Sequence, residues 1–302
     1  MIPFDNRDGW IWLDGDFVLW NDARLHICTH ALHYGSAVFE GERMYNGRIF
    51  ELEAHTRRLF KSAETLDFEI PFTEAEINTA STEACRRNGL EDCYVRPIAW
   101  RGAEQLSVSA LHTKTHVAIA VWEWPKYFDA AKLRRGIRLT WAKYRRPPAD
   151  AAPASAKAAG LYMICTISKN AAERAGYDDA LMLDSSGNVA ETTGANVFFI
   201  RDGAIYTPKA DCFLDGITRR TVIALARTKG LEVIETRIRP EALSSFSECF
   251  VTGTAAEVTP VAEIGEHTYT PGAITFSLME DYTRHVTQAP ASISRTLESA
   301  EA

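Results

Sequence analysis

Ala154-Ser155-Ala156-Lys157-Ala158-Ala159-Gly160-Leu161-Tyr162 sets one lysine among small residues, just after a proline-rich break and just before a predicted helix. Long charged side chains are normally left on solvated surfaces, whereas Ala, Ser and Gly on both sides let another backbone or a flat ring approach closely. A lysine placed there can reach a bound group, and the segment read alone fits equally a solvated lysine in an alanine-rich linker. The break before it, Arg145 to Ala156, holds three prolines and five alanines and cannot continue a strand. The chain is therefore expected to divide there. An N-terminal domain covers 1–144, a connection 145–156, a C-terminal domain 157–289, and a Ser/Ala/Glu-rich tail, 290–302, should fray.

Working outward, the N-terminal part opens as β-sheet. Trp10 to Phe17 alternates around Asp14-Gly15, and Tyr45 to Phe50 is interrupted by Asn46-Gly47, so both read as hairpins whose turns need positive φ. Glu51–Phe68 spaces Leu52, Leu59, Phe60, Ala63 and Leu66 as one face of a helix, and Glu74–Asn88 reads as a second helix stopped by Gly89. Strands follow at Cys93–Trp100, Thr115–Trp124 and Ile137–Tyr144. Beyond Lys157 come a helix to about Ala175, strands at Ala180–Leu183, Asn196–Ile200 and Ala204–Thr207, a helix over Ile217–Lys229, strands at Leu231–Ile238 and Cys249–Thr252, and a helix over Pro271–Val286.

Composition excludes several classes. The 302 residues, 46% hydrophobic and 24% charged, suffice for full cores, and a formal charge of −7 without a Lys/Arg stripe gives no footprint for nucleic acid. No apolar run has the length of a membrane span or a signal peptide, so the protein is expected in the cytoplasm. The six cysteines lack CxxC spacing and read as reduced, mostly buried thiols. His26, His30 and His33 would share a helix face, as in a metallohydrolase, but no carboxylate completes a ligand set and no metal is expected.

Two more segments carry chemistry. Asp215-Gly216-Ile217-Thr218 starts a helix, where free N–H groups and the dipole favour an anion. Thr252-Gly253-Thr254-Ala255-Ala256-Glu257 is a hydroxyl-rich turn of the kind that also lines phosphates. Tyr94 and Arg96, two apart on one strand, point to the same face and form one wall.

Together with His33-Tyr34-Gly35-Ser36-Ala37-Val38-Phe39-Glu40-Gly41, Arg57-Arg58-Leu59, Tyr94-Val95-Arg96-Pro97, Glu191-Thr192-Thr193-Gly194-Ala195-Asn196 and Gly216-Ile217-Thr218-Arg219, these segments occur in the order and spacing of a known family. Across nearly its whole length the chain resembles the branched-chain amino-acid aminotransferases, class IV (fold type IV) enzymes that use pyridoxal 5′-phosphate. The resemblance implies a two-domain α/β (α+β) fold with a smaller N-terminal domain, a larger C-terminal domain and the cofactor at their interface. It implies that Lys157 holds the cofactor as a Schiff base and that Arg58, Thr254 and the backbone of Ile217 and Thr218 hold its phosphate. Glu191 would pair with the pyridine nitrogen and Tyr162 with the ring hydroxyl. Phe39, Gly41, Tyr94, Gly194 and Ala255 would line the substrate pocket, Arg96 would accept the distal carboxylate of glutamate or 2-oxoglutarate, and Tyr34 would reach across a homodimer interface. The implied activity is transamination between a branched-chain or other hydrophobic amino acid and 2-oxoglutarate.

Physical chemistry supports the two central roles. A carboxylate at the pyridine nitrogen keeps the ring cationic, so that it accepts the electrons left when the substrate loses its Cα proton. A lysine amine set free by the substrate is placed to move that proton. Two departures bear on substrate range: Thr192-Thr193-Gly194-Ala195-Asn196 is less glycine-rich than usual for the family, and Arg101-Gly102-Ala103-Glu104-Gln105-Leu106 lacks its Gly/Met pattern. They keep open an (R)-amine or D-amino-acid transaminase, and a lyase similar to aminodeoxychorismate lyase.

Overall fold

The computed structural model describes residues 3–125 and 130–288, so the tail expected over 290–302 lies outside the described residues. Two compact units emerge. The first comprises 1–125 and 153–163, the second 126–152 and 164–302. Lys157 thus belongs to the first unit, with the strands that precede the proline-rich break.

The first unit contains β1 (Trp10–Leu13), β2 (Asp16–Leu19), α1 (His30–Tyr34), β3 (Ala37–Phe39), β4 (Glu42–Tyr45), β5 (Arg48–Ile49), α2 (Leu52–Thr65), α3 (Glu74–Arg87), β6 (Cys93–Arg101) and β7 (Thr115–Glu123). Its sheet runs β2-β1-β7-β6-β4-β5, with β3 also on β6, and all its pairs are antiparallel. The two hairpin turns have the positive φ that their sequences demand, +50° at Asp14 and +48° at Asn46, each followed by a glycine that also has positive φ. Alternation along β6 sends Cys93, Val95 and Ala99 into a core with Leu59 and Ala63 of α2 and Ile77 and Ala84 of α3. Tyr94 and Arg96 are left on the opposite face. Thr73 begins α3 with a reciprocal cap: its hydroxyl accepts from the Glu76 amide at 3.2 Å, and the Glu76 carboxylate accepts from the Thr73 amide at 2.7 Å.

The second unit contains α4 (Ala130–Arg135), β8 (Ile137–Trp141), α5 (Tyr162–Arg174, entered from the first unit), β9 (Asp179–Leu183), β10 (Val189–Thr192), β11 (Asn196–Arg201), β12 (Ala204–Pro208), α6 (Ile217–Thr228), β13 (Val233–Thr236), β14 (Glu248–Gly253), β15 (Glu257–Ile264), β16 (His267–Thr268) and α7 (Ala273–Thr287). Its sheet runs β10-β9-β8-β15-β14-β11-β12-β13, and a further β10–β11 pairing closes six of these strands into a ring. Phe198, Phe199 and Phe250 are fully buried, which explains the nearly continuous apolar run of β11.

Strand β8 precedes the break in sequence yet pairs in parallel with β9 and β15 of the second unit, so the change of unit comes before it. The sequence reading passed over β3, β10 and β15. Strand β15 carries Pro260 opposite Phe250 in mid-sheet, a position where proline normally argues against a strand. Strand β10 is polar because it carries Glu191 and Thr192, and both are buried.

Candidate active site

Within the first unit the segment around Lys157 is fixed by its backbone. Ala158 forms an antiparallel bridge with Val38, the Phe39 amide donates to the Lys157 carbonyl at 3.1 Å, and the Lys157 amide donates to Ser62 Oγ of α2 at 3.0 Å. Small neighbours allow this approach: Ala156 and Ala158 are buried, and a Cβ on Gly35 would stand 3.0 Å from Gly160 Cα. The side chain is then directed. Lys157 Nζ donates to Tyr162 Oη at 2.7 Å and lies 5.0 Å from the Phe39 ring centroid, and Phe39 and Tyr162 pack edge to face.

Arg58 is held by a carboxylate to which the sequence reading gave no role. Glu40 is fully buried and takes the guanidinium in two parallel bonds, from Nε at 2.7 Å and from Nη2 at 2.8 Å. His55, one turn earlier on α2, donates from Nδ1 to the same carboxylate at 2.6 Å. Burial alone would raise the Glu40 pKa; the Arg58 charge and the hydrogen bonds from Arg58 and His55 overrule it and hold the carboxyl well below the usual range. Burial depresses the His55 pKa against the pull of Glu40, which favours the neutral imidazole. Glu42, two residues on, is also fully buried, and its oxygens have no hydrogen-bond partner among the described residues. Burial first, and then the Glu40 charge, push its pKa well above the ordinary value, which favours the neutral form of Glu42.

On the face away from the core, Arg96 Nη2 donates to Tyr94 Oη at 3.1 Å, and the guanidinium lies over Phe39 at 4.8 Å and Tyr94 at 5.2 Å. Trp122, cross-strand from Tyr94, stacks on the tyrosine ring at 5.0 Å. Any side chain at position 41 would run into Tyr94 Oη, which accounts for Gly41. Lys157, Tyr162, Phe39, Gly41, Tyr94 and Arg96 therefore form one contiguous group. Tyr34 stands apart from it, exposed on α1 with its ring 4.6 Å from that of His30.

In the second unit, Glu191 lies buried on β10. Asn196 Nδ2 is 3.3 Å from its Oε2, and Arg146 Nε is 3.3 Å from its Oε1. Gly216 precedes α6, whose first turn has no side-chain cap, and a Cβ there would run into the Asn196 amide oxygen. Ile217 and Thr218 open that helix and are buried. Buried Thr252 Oγ1 has no hydrogen-bond partner among the described residues. Thr254 and Ala255 occupy the turn from β14 to β15, and a Cβ on Gly253 would touch the Gly194 carbonyl at 3.4 Å and Ala195, so the two turns are neighbours.

The three histidines go elsewhere. His30 binds Ser36 and the Ser107 carbonyl, His33 the Ile27 carbonyl, and His26 accepts from the Cys28 amide. Glu40, His55, Arg146 and Asn196 were missed as site residues. Glu40 and Asn196 stood inside quoted motifs, and His55 lies i, i+3 from Arg58 on a predicted helix, so those three were accessible to pattern reading; Arg146 reaches Glu191 from 45 positions away and had no local signal.

The family model for amino-transferase class IV matches residues 37–264. The chain belongs to that family. It is 43% identical over 263 residues to the branched-chain-amino-acid aminotransferase of Pseudomonas aeruginosa, covering 86% of each chain, and 36% identical over 261 residues to that of Escherichia coli, covering 84% of each. Among solved structures, the T.th. branched-chain amino acid aminotransferase with pyridoxamine 5′-phosphate superposes with a TM-score of 0.90 at 42% identity, covering 93% of this chain and 95% of that one. The Escherichia coli enzyme gives 0.89 at 33% identity, over 95% and 97%. The fold is that of the fold type IV aminotransferases, whose cofactor is pyridoxal 5′-phosphate. The donors present suit that cofactor: an amine beside a phenol, an arginine locked by a carboxylate, a buried carboxylate for a cationic ring nitrogen, and an orphaned threonine hydroxyl.

Among the described residues, no helix is long and apolar enough to cross a membrane.

Proposed function

We propose that the protein catalyses transamination between branched-chain amino acids and 2-oxoglutarate, giving the branched-chain 2-oxo acids and glutamate. The observation that carries this reading is Lys157 Nζ held 2.7 Å from Tyr162 Oη beside Phe39 and the Tyr94–Arg96 pair, in a chain of the class IV family. When bound, pyridoxal 5′-phosphate supplies an electron sink conjugated to the substrate Cα. Lys157 would anchor it, Tyr162 would hydrogen-bond its ring hydroxyl, Glu191 would hold its pyridine nitrogen, and Arg58, Thr254 and the Ile217 and Thr218 amides would bind its phosphate.

The remaining work belongs to side chains. Lys157 Nζ moves the proton at the substrate Cα, with Tyr162 Oη fixing the position of the amine. In the first unit Phe39, Gly41 and Tyr94 would give an apolar wall, Gly194 and Ala255 of the second unit are the further substrate residues of this reading, and Arg96 would answer the distal carboxylate of glutamate. Leu25, Ile27, Leu32 and Tyr34 around α1 are exposed together with Leu106, Val108 and Leu111 of a loop tied to α1 through His30 and Ser107. Such an apolar surface supports a homodimer in which Tyr34 serves the partner's site. A cytoplasmic location is part of the same reading.

The purified protein, given L-leucine, L-isoleucine and L-valine with 2-oxoglutarate, should produce glutamate, and should do so poorly from D-amino acids or (R)-amines. Preference for the latter donors would overturn the branched-chain reading in favour of a shifted-range transaminase. Loss of the amine without transfer to 2-oxoglutarate would favour a lyase.

A further inference from the structure

Glu191 is not a free carboxylate waiting for a ring. Arg146 reaches it from the segment after β8, where the Arg146 amide donates to the Leu183 carbonyl at 2.8 Å and the residue bridges in parallel to Asp184. Its guanidinium is nearly buried, with Nε 3.3 Å from Glu191 Oε1 and Nη1 3.5 Å from Cys165 Sγ of α5. Asn196 takes the other carboxylate oxygen, and its amide is itself fixed by the Leu214 carbonyl at 3.0 Å. Glu191 thus has an ion-pair partner at one oxygen and a hydrogen-bond donor at the other, both on segments whose backbone is held in place.

A buried carboxylate beside a pyridine nitrogen shares one proton with it, and the proton rests on whichever partner the surroundings favour. With no cation at hand, burial would favour the neutral acid and leave the ring uncharged. A guanidinium on the far side of the carboxylate reverses this preference, because protonating Glu191 would strand the arginine in a site with little water. The charges then alternate: arginine positive, carboxylate negative, ring positive. Asp179, Asp184 and Asp211 are acidic groups of the same neighbourhood, with the buried thiols of Cys165 and Cys212; Asp179 is engaged by the Thr193 hydroxyl, Asp184 by Asn188 and Asp211 by Arg237.

We infer that Arg146 is a positioning residue for the ring nitrogen: it keeps Glu191 ionised and aligned, so that the shared proton stays on the cofactor. The inference rests on Glu191 being the partner of that nitrogen. The test uses holoenzyme loaded with pyridoxal phosphate carrying 15N in the ring, whose nitrogen resonance reports protonation directly, followed from neutral to alkaline pH in wild type, Arg146→Lys and Arg146→Gln. The wild-type nitrogen should remain protonated furthest into the alkaline range. Arg146→Lys, which keeps the charge but loses the guanidinium that Cys165 helps to place, should lose the ring proton at lower pH, and Arg146→Gln at lower pH still, with Cα-proton exchange slowed roughly tenfold or more. Arg146→Lys retains a compensating charge, so if Arg146→Gln fails to fold the lysine variant alone decides. Variant resonances that follow the wild-type profile overturn the inference and leave Arg146 as a structural contact of Glu191 and Cys165 with no influence on the ring proton. A wild-type nitrogen that is unprotonated throughout, or unaffected by Glu191→Gln, would instead refute the assignment of Glu191 on which the inference stands.

Discussion

Glu40 binds Arg58 through Nε and Nη2 at 2.7 and 2.8 Å, and the same carboxylate receives His55 at 2.6 Å. An arginine meant for a phosphate must keep one geometry before the anion arrives, and a flexible side chain would lose rotamer entropy on binding. Two parallel bonds from a buried carboxylate remove that freedom beforehand. Replacing Glu40 by Gln retains one acceptor and the shape but gives up the charge and the fork. Pyridoxal phosphate should then bind about 10- to 100-fold more weakly, at about 1.4 kcal/mol per factor of ten, as measured by equilibrium dialysis of the holoenzyme. Affinity unchanged by the substitution would mean that the Glu40 fork does not prepare Arg58 for the phosphate.

Glu40 and Glu42 oppose each other in their effect on stability. The folded pKa of Glu40 is lowered, so its contribution is present above the ordinary carboxylate range and is lost as pH falls below it. The folded pKa of Glu42 is raised; its protonated form suits the fold at low pH, and stability declines as pH rises from the unfolded carboxylate value toward the folded one. Glu42→Met removes a buried carboxyl that lacks a partner among the described residues and should stabilise the protein by about 1–3 kcal/mol at neutral pH. Denaturant melts across pH should also show a flatter decline on the alkaline side of the ordinary carboxylate range for this variant. A destabilised variant would show that Glu42 has a hydrogen-bonded role, such as a bridging water.

Much of this was legible in the chain because local rules and global structure agree. Asn46-Gly47 demanded a left-handed turn, Gly89 announced the end of the helix that begins at Glu74, and strand alternation put Tyr94 and Arg96 on one face. What escaped was non-local. Strand β8 looks like any apolar strand, and only its partners β9 and β15 assign it to the second unit. Arg146 sits in a proline-rich stretch that reads as solvated linker, yet a carboxylate 45 positions later draws it inside. Pattern reading treats an ionisable side chain as exposed by default, and four buried ones (Glu40, Glu42, Arg146 and Glu191) defeat that default at the candidate site.

Lys157→Ala tests the anchor. Backbone contacts to Phe39 and Ser62 do not involve the side chain, so the fold should survive. The variant should lose the visible absorbance of lysine-bound cofactor and nearly all transamination while thermal melting changes little. Retention of both would remove Lys157 from the reaction. Tyr162→Phe, which deletes the 2.7 Å partner of Nζ, should keep the absorbance with an altered maximum and a reduced kcat.

Arg96→Met decides the dual recognition that a branched-chain transaminase requires. One binding region must take an apolar side chain in one half-reaction and the distal carboxylate of glutamate in the other, and Arg96 is equipped for both. Its guanidinium lies against Phe39 and Tyr94, adding to the apolar wall, while Nη2 is anchored to Tyr94 Oη and its position is set. Methionine preserves much of the stem and removes the charge. The half-reaction with glutamate or 2-oxoglutarate should weaken by roughly 1.5–3 kcal/mol, the worth of a hydrogen bond to a charged group, and the leucine half-reaction should change far less. Single-turnover rates for each substrate measure the split. Equal losses in both would make Arg96 a structural support for Tyr94 and Phe39, and the site for the distal carboxylate would have to be sought among other cationic groups.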